Sequence, residues 1–139
     1  MLKNILLYIW QLPQNLFGAI LVWLYNVESS REWNDVPVYY TPLMPSGISL
    51  GRYIILNDHY ENNTWQNSIN THNHEWGHTR QSAYLGWLYL LLIGLPSLCG
   101  NIYDRIAHKD WPYTESAKWY YNQPWEKWAD KLGNVEREF

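Results

Sequence analysis

The uncharged run from Gln81 to Tyr103, "QSAYLGWLYLLLIGLPSLCGNIY", constrains this chain more than any other feature. As a helix it is long enough to cross a bilayer, which takes about 20 apolar residues. Upstream of it stands "THNHEWGHTRQS", residues 71 to 82, with His74 and His78 flanking Glu75 in an H-E-x-x-H frame. Downstream stands "NQPWEKWADKLGNV", with Glu126 and Asp130 four apart. A single crossing would put these two groups on opposite sides of a membrane, because no later apolar run brings the chain back. If they share one site, the run must be a buried helix or a helical hairpin dipping into a membrane, with Gly94 and Pro96 at its bend.

A second uncharged run, Asn4 to Val27, opens the chain. Gln11, Pro13, Gln14 and Asn15 interrupt it near the middle, where polar groups and a missing amide are costly in lipid. It reads as two helical pieces broken near Pro13, the later one carrying Leu16, Ile20 and Leu24 on one face with Phe17 and Leu21 beside them. Lys3 before an apolar core is how a secretory leader begins, but no small-x-small cleavage site follows cleanly. Residues 1–27 therefore read as an apolar helical segment suited to anchoring on a membrane surface or spanning it once, with packing on the core as the alternative, and residues 28–139 as the functional domain.

The whole chain has 139 residues, room for one core and too few for a separate substrate domain. Its 10 Lys and Arg and 13 Asp and Glu are scattered, so no basic stripe points to nucleic acid, which is excluded as a partner. Cys99 has no second cysteine to bridge to and reads as a small buried hydrophobe. The aromatic content is skewed to 10 Trp and 12 Tyr against 2 Phe. Indoles and phenols combine an apolar body with a polar tip, which suits clefts, interfaces and membrane headgroup belts.

Between the runs, "VPVYYTPLMPSG" and "ISLGRYIILND" are extended segments, rich in β-branched and aromatic residues and punctuated by Pro and Gly. They predict a small antiparallel or mixed sheet. "HYENNTWQNSIN" reads as a loop able to cap the helix that opens with the motif and runs past Gln81. The expected class is α+β: a small sheet, a motif helix and a downstream helix carrying Glu126, behind the N-terminal apolar segment.

On a helix, His74 and His78 lie on one face and can aim ring nitrogens at one tetrahedral ion. Glu75 beside them is placed to take a proton from a water on that ion, the role this spacing has in metalloproteases. Gly77 allows another helix to approach closely. A catalytic zinc site needs a third protein ligand. His72 points away from His74 on a helix, and His59 lies in the preceding loop. Glu126 is better placed, because Pro124 suits the first turn of a helix and Gly133 with Asn134 can close it. Asp130, one turn on, can then accept a hydrogen bond from the outer nitrogen of a histidine ligand.

His74-Glu75-x-x-His78 followed by Glu126-x-x-Ala129-Asp130 resembles the paired signature of the gluzincin metallopeptidases, H-E-x-x-H then E-x-x-A-D. The order of sheet, motif helix and glutamate helix, over residues 38 to 133, is similar to the minimal members called minigluzincins and to the catalytic part of membrane-associated gluzincins. The resemblance implies Zn²⁺ held by His74, His78 and Glu126, with Glu75 as general base and acid and Asp130 behind a histidine. It also implies that an edge strand near "ISLGRYIIL" pairs with an extended peptide or protein substrate. The family's oxyanion-stabilising Tyr or His has no fixed motif here; Tyr120, Tyr121, His108 and Tyr113 are the candidates. The expected function is a zinc endopeptidase associated with a membrane surface, or else located in the cytoplasm. A zinc-stabilised, inactive scaffold of the same fold is the alternative, and a membrane-anchored structural protein with a fortuitous motif is the third reading.

Overall fold

A computed structural model describes residues 2–27 and 29–139. Helices α1 (Leu2–Trp10) and α2 (Leu12–Leu24) precede strands β1 (Ser29–Trp33), β2 (Val36–Tyr40), β3 (Gly47–Leu50) and β4 (Tyr53–Leu56). Then come α3 (Gln66–Leu85), α4 (Leu95–Ala107), α5 (Tyr113–Tyr121) and α6 (Pro124–Gly133). The class is α+β, with a four-stranded mixed sheet in the order β1-β2-β4-β3. β1 runs antiparallel to β2, β2 parallel to β4, and β3 antiparallel to β4, so β3 is an edge strand.

Alternation builds the sheet's core. Val36, Val38 and Tyr40 point inward from β2 and join Ile54 and Leu56 of β4, with Trp33, Tyr60 and Trp76 packed against them. The polar stretch before β2, not read as a strand from sequence, forms β1. Asn34 and Asp35 both take positive φ, 45° and 66°, the turn that joins two antiparallel strands in the shortest way.

The motif helix starts earlier than its sequence suggests: α3 begins at Gln66, inside the segment read as a loop. That helix is polar, and its buried residues include Ser68, His72, Thr79, Gln81 and Ser82 besides the motif residues. Apolar periodicity could not reveal it, because it is held inside by polar partners. His72, for example, donates from Nδ1 to the Ser68 carbonyl at 2.7 Å and accepts from the Tyr40 hydroxyl at 2.8 Å.

α3 crosses α6 with almost no space between the backbones. A Cβ on Gly77 would stand 2.0 Å from the Ala129 carbonyl oxygen, and one on Gly133 would stand 2.1 Å from that of Asn73. A glycine on each side permits the crossing, and it brings Glu126 to the face of α3 that carries the histidines. At the other end of α6, Asn134 takes the left-handed conformation that ends the helix, φ 55°.

The uncharged run 81–103 does not continue straight, and among the described residues no single helix is long and apolar enough to cross a membrane. Its two helical arms meet at 118°. The bend lies at Gly86, with φ 54°, and not at Gly94 and Pro96 as expected. With ψ −128° that φ lies outside the left-handed helical region and suits glycine alone, whereas Pro96 sits in the first turn of α4, where no backbone N–H is needed. A π-helical turn, Leu90–Gly94, leads from the bend into α4.

α1 and α2 meet at 87°, with Gln11 at the break. Leu16, Ile20 and Leu24 do share a face of α2, but it turns outward. Gln14, Asn15 and Gly18 are the residues of α2 that are buried. Cys99 likewise is exposed rather than buried, because the apolar stripe of α4 faces away from the body.

Candidate metal centre

α3 contributes His74 and His78, one turn apart, and α6 contributes Glu126, which is fully buried. The ligand-capable atoms of the three lie within 4.8 Å of one another. His74 Nε2 is 3.1 Å and His78 Nε2 is 3.2 Å from the same oxygen, Glu126 Oε2.

The outer atoms of the three are all engaged. His74 Nδ1 donates to Asp130 Oδ1 at 2.7 Å, and His78 Nδ1 donates to Gln81 Oε1 at 2.7 Å. Gln81 is itself fixed through Nε2 to the Trp125 carbonyl at 2.8 Å. Ser97 donates to the other carboxylate oxygen, Glu126 Oε1, at 2.6 Å. With each imidazole proton placed on Nδ1, both Nε2 lone pairs aim at a carboxylate oxygen. That arrangement is repulsive without a cation among them, and an N, N, O donor set of this kind suits a metal ion. The buried His74, His78 and Glu126 group can therefore hold one.

Protonation of the bare site shows the same demand for positive charge. Burial opposes a charge on His74, but hydrogen bonds to Asp130 and Glu126 outweigh it and push its pKa up to about 9. Burial would raise the Glu126 carboxyl, yet the bonds from His74 and His78 hold it well below the ordinary carboxylate range. Asp130 is also lowered: burial works against its charge, while His74 and Arg137 favour it. Arg137 clamps Asp130 through Nε to Oδ2 at 2.6 Å and Nη2 to Oδ1 at 2.9 Å, with its guanidinium 3.4 Å above the Tyr121 ring.

Glu75 is buried on the same helix and lines the same cleft as His74 and His78, a cavity of about 750 Å³. The Ser49 hydroxyl on edge strand β3 lies 2.7 Å from Glu75 Oε2, and the Tyr89 hydroxyl donates to the Ser49 carbonyl at 2.9 Å. Gly47, Ile48, Ser49 and Leu50 form one wall, so the cleft runs along the free edge of β3.

The four oxyanion candidates separate in space. Tyr120 and Tyr121 line the cleft. The Tyr120 hydroxyl is 2.9 Å from Ser97 Oγ, whose proton goes to Glu126, so Tyr120 donates into that chain. Tyr121 packs edge-on against His74, ring centroids 5.2 Å apart, and its hydroxyl makes no hydrogen bond among the described residues. Burial raises the pKa of both phenols well above the ordinary value, so both remain donors. Tyr113 stands exposed at the cleft rim. His108 is not brought to the metal ligands: it stacks on Trp111 at 3.8 Å between centroids and pairs with Asp104 at 2.7 Å. His59 is exposed near Asn57 and takes no part.

Sequence reasoning missed Ser49, Gln81, Tyr89, Ser97 and Arg137. Only Gln81 carried a signal, three residues after His78 on the same helix face. No protein-family model, curated protein or solved structure matches the chain.

Proposed function

We propose that this chain is a zinc-dependent peptide hydrolase of gluzincin type, with His74, His78 and Glu126 as metal ligands. The observation that carries the reading is the convergence of these three residues beside the Glu75 carboxylate, in a cleft that runs along a free strand edge. Zinc held there would supply Lewis acidity, bringing the pKa of a water toward neutrality and polarising a peptide carbonyl.

The chain's own residues do the rest. An extended peptide adds to the free edge of β3 and is thereby held across the cleft. Glu75, oriented by Ser49, takes the proton of the attacking water and passes it to the leaving amine. Tyr121, whose hydroxyl is not engaged elsewhere, donates to the carbonyl oxygen as charge builds there. Asp130 and Gln81 fix the tautomers of His74 and His78, and Ser97 fixes Glu126.

The test is zinc content, melting temperature and cleavage of an unbiased peptide library, for wild type, Glu75→Gln and His78→Ala. Glu75→Gln should keep zinc and stability and lose cleavage by about 10²–10⁴-fold, the usual contribution of a general base. His78→Ala should lose both metal and cleavage. Equal cleavage by wild type and Glu75→Gln refutes the mechanism. Zinc-loaded wild type that cleaves nothing in the library, with and without vesicles, assigns the fold to a metal-stabilised scaffold instead.

A further inference from the structure

We propose that α1, α2 and the Gly86 elbow with α4 form one face that seats in a single leaflet of a lipid bilayer, without crossing it. This does not rest on the peptidase reading. The sides of these helices are inverted relative to a water-facing surface. Every exposed residue of α2 is apolar: Leu12, Leu16, Phe17, Ile20, Trp23 and Leu24. Its inner side is polar. Gln14 donates to Ser82 at 2.9 Å and to the Gly86 carbonyl at 2.8 Å, Ser82 donates to Gln11 at 2.8 Å, and Asn15 accepts from the Arg52 amide at 2.8 Å.

α4 repeats the inversion. Leu95, Leu98, Ile102 and Ile106 form an exposed stripe at helical spacing, while Ser97, Asn101 and Asp104 face the cleft. From Tyr84 to Tyr103 no exposed residue carries a charge or an amide. The two arms are one surface, because Trp10 Nε1 donates to the Ala83 carbonyl at 3.0 Å and Trp87 Nε1 donates to the Ile9 carbonyl at 3.1 Å.

Three observations favour lipid over a protein partner. α1 has nine residues and buries none of them, and a helix that short does not stand alone in water, where about 12–15 residues are marginal. The accessible surface is 8832 Å², against about 7600 Å² for a compact folded chain of this mass, so apolar helices project from the body. A protein interface also needs hydrogen bonds, about one per 100–200 Å². On this face the indole N–H groups of Trp10 and Trp87 are already engaged inward, and lipid demands none. The 87° and 118° bends make each helix pair lie in a leaflet rather than traverse it. Leu95 and Leu98 belong both to this face and to the cleft wall, so the cleft opens beside the lipid.

The net charge of −3, with Lys3 the one exposed charge on α1 and none exposed on α2 or from Tyr84 to Tyr103, makes the docking apolar rather than electrostatic. Full-length protein should therefore float with neutral phosphatidylcholine vesicles equally at low and high salt. Ile20→Glu combined with Ile102→Glu changes only outward positions, and should lower that partitioning by about tenfold or more while circular dichroism stays unchanged. Quenching of wild-type tryptophan fluorescence by brominated acyl chains is expected too, and requires no variant. Binding to anionic vesicles alone that salt removes overturns the proposal. So does a discrete dimer that ignores vesicles, or wild-type tryptophan that brominated lipid leaves unquenched.

Discussion

Ser97 and Arg137 each act from outside on the candidate metal site. Arg137 spans both oxygens of Asp130 in a fork that lysine cannot reproduce, and Asp130 orients His74. Arg137→Ala should weaken zinc binding by about 10–100-fold, the range typical of such outer partners, and Arg137→Lys should recover only part of it. Titration with a zinc-competing dye measures both, and equal affinity in all three proteins would remove Arg137 from the site. The two tyrosines divide differently. Tyr121→Phe keeps the ring against His74 and should lower cleavage by about 10²–10³-fold with zinc affinity intact, the loss expected of an oxyanion donor. Tyr120→Phe removes the donor to Ser97 and should show mainly as weaker zinc binding. The reverse pattern in the two variants would exchange their roles.

At the scale of elements, the site is a property of the α3–α6 crossing. The ligands lie on two helices, and Gly77 and Gly133 let the backbones touch. Gly77→Ala would force a methyl into the Ala129 carbonyl and push α6 outward, taking Glu126 with it. Overpacking of this kind costs about 1–3 kcal/mol, so the melting temperature of metal-free protein should fall and zinc affinity should fall with it. If Gly77→Ala binds zinc as wild type does, the helices have slack that the close contact denies. Thermal melts and zinc titration on the same sample decide this. The bend at Gly86 belongs to the same scale: the run holds three glycines and one proline, and only the backbone angle distinguishes the one that turns the chain.

For the whole molecule, a metal held by His74, His78 and Glu126 would couple its binding to folding. A ligand that binds only the native state, at a thousand times its Kd, adds about 4 kcal/mol. For a chain of this size that is roughly 10 °C or more in Tm. Removing zinc with a chelator should lower Tm by that amount, and restoring zinc should recover it; Glu126→Gln should melt like the chelated wild type. An unchanged Tm on chelation would show that the native fold gains nothing from the ion.

H-E-x-x-H and E-x-x-A-D are local patterns, so the sequence by itself determined which side chains could converge and which helices would carry them: spacing on a helix sets direction within a turn or two. It also determined the strands of the core, where buried apolar residues alternate in β2 and run consecutively in β4. Only the tertiary structure decided that Asp130 meets His74 rather than His78, that Gln81 serves His78, and that Ser97 and Arg137 complete the shell. Those partners are brought in by helix crossings and by the chain's last residues, and no short-range pattern encodes a contact across such separations. The same holds for the inverted helices. Periodicity finds an apolar face on α2 and on α4, but which way a face points depends on what lies on the other side, and behind α2 that side is a set of polar side chains hydrogen-bonded to α3 and the turn after it.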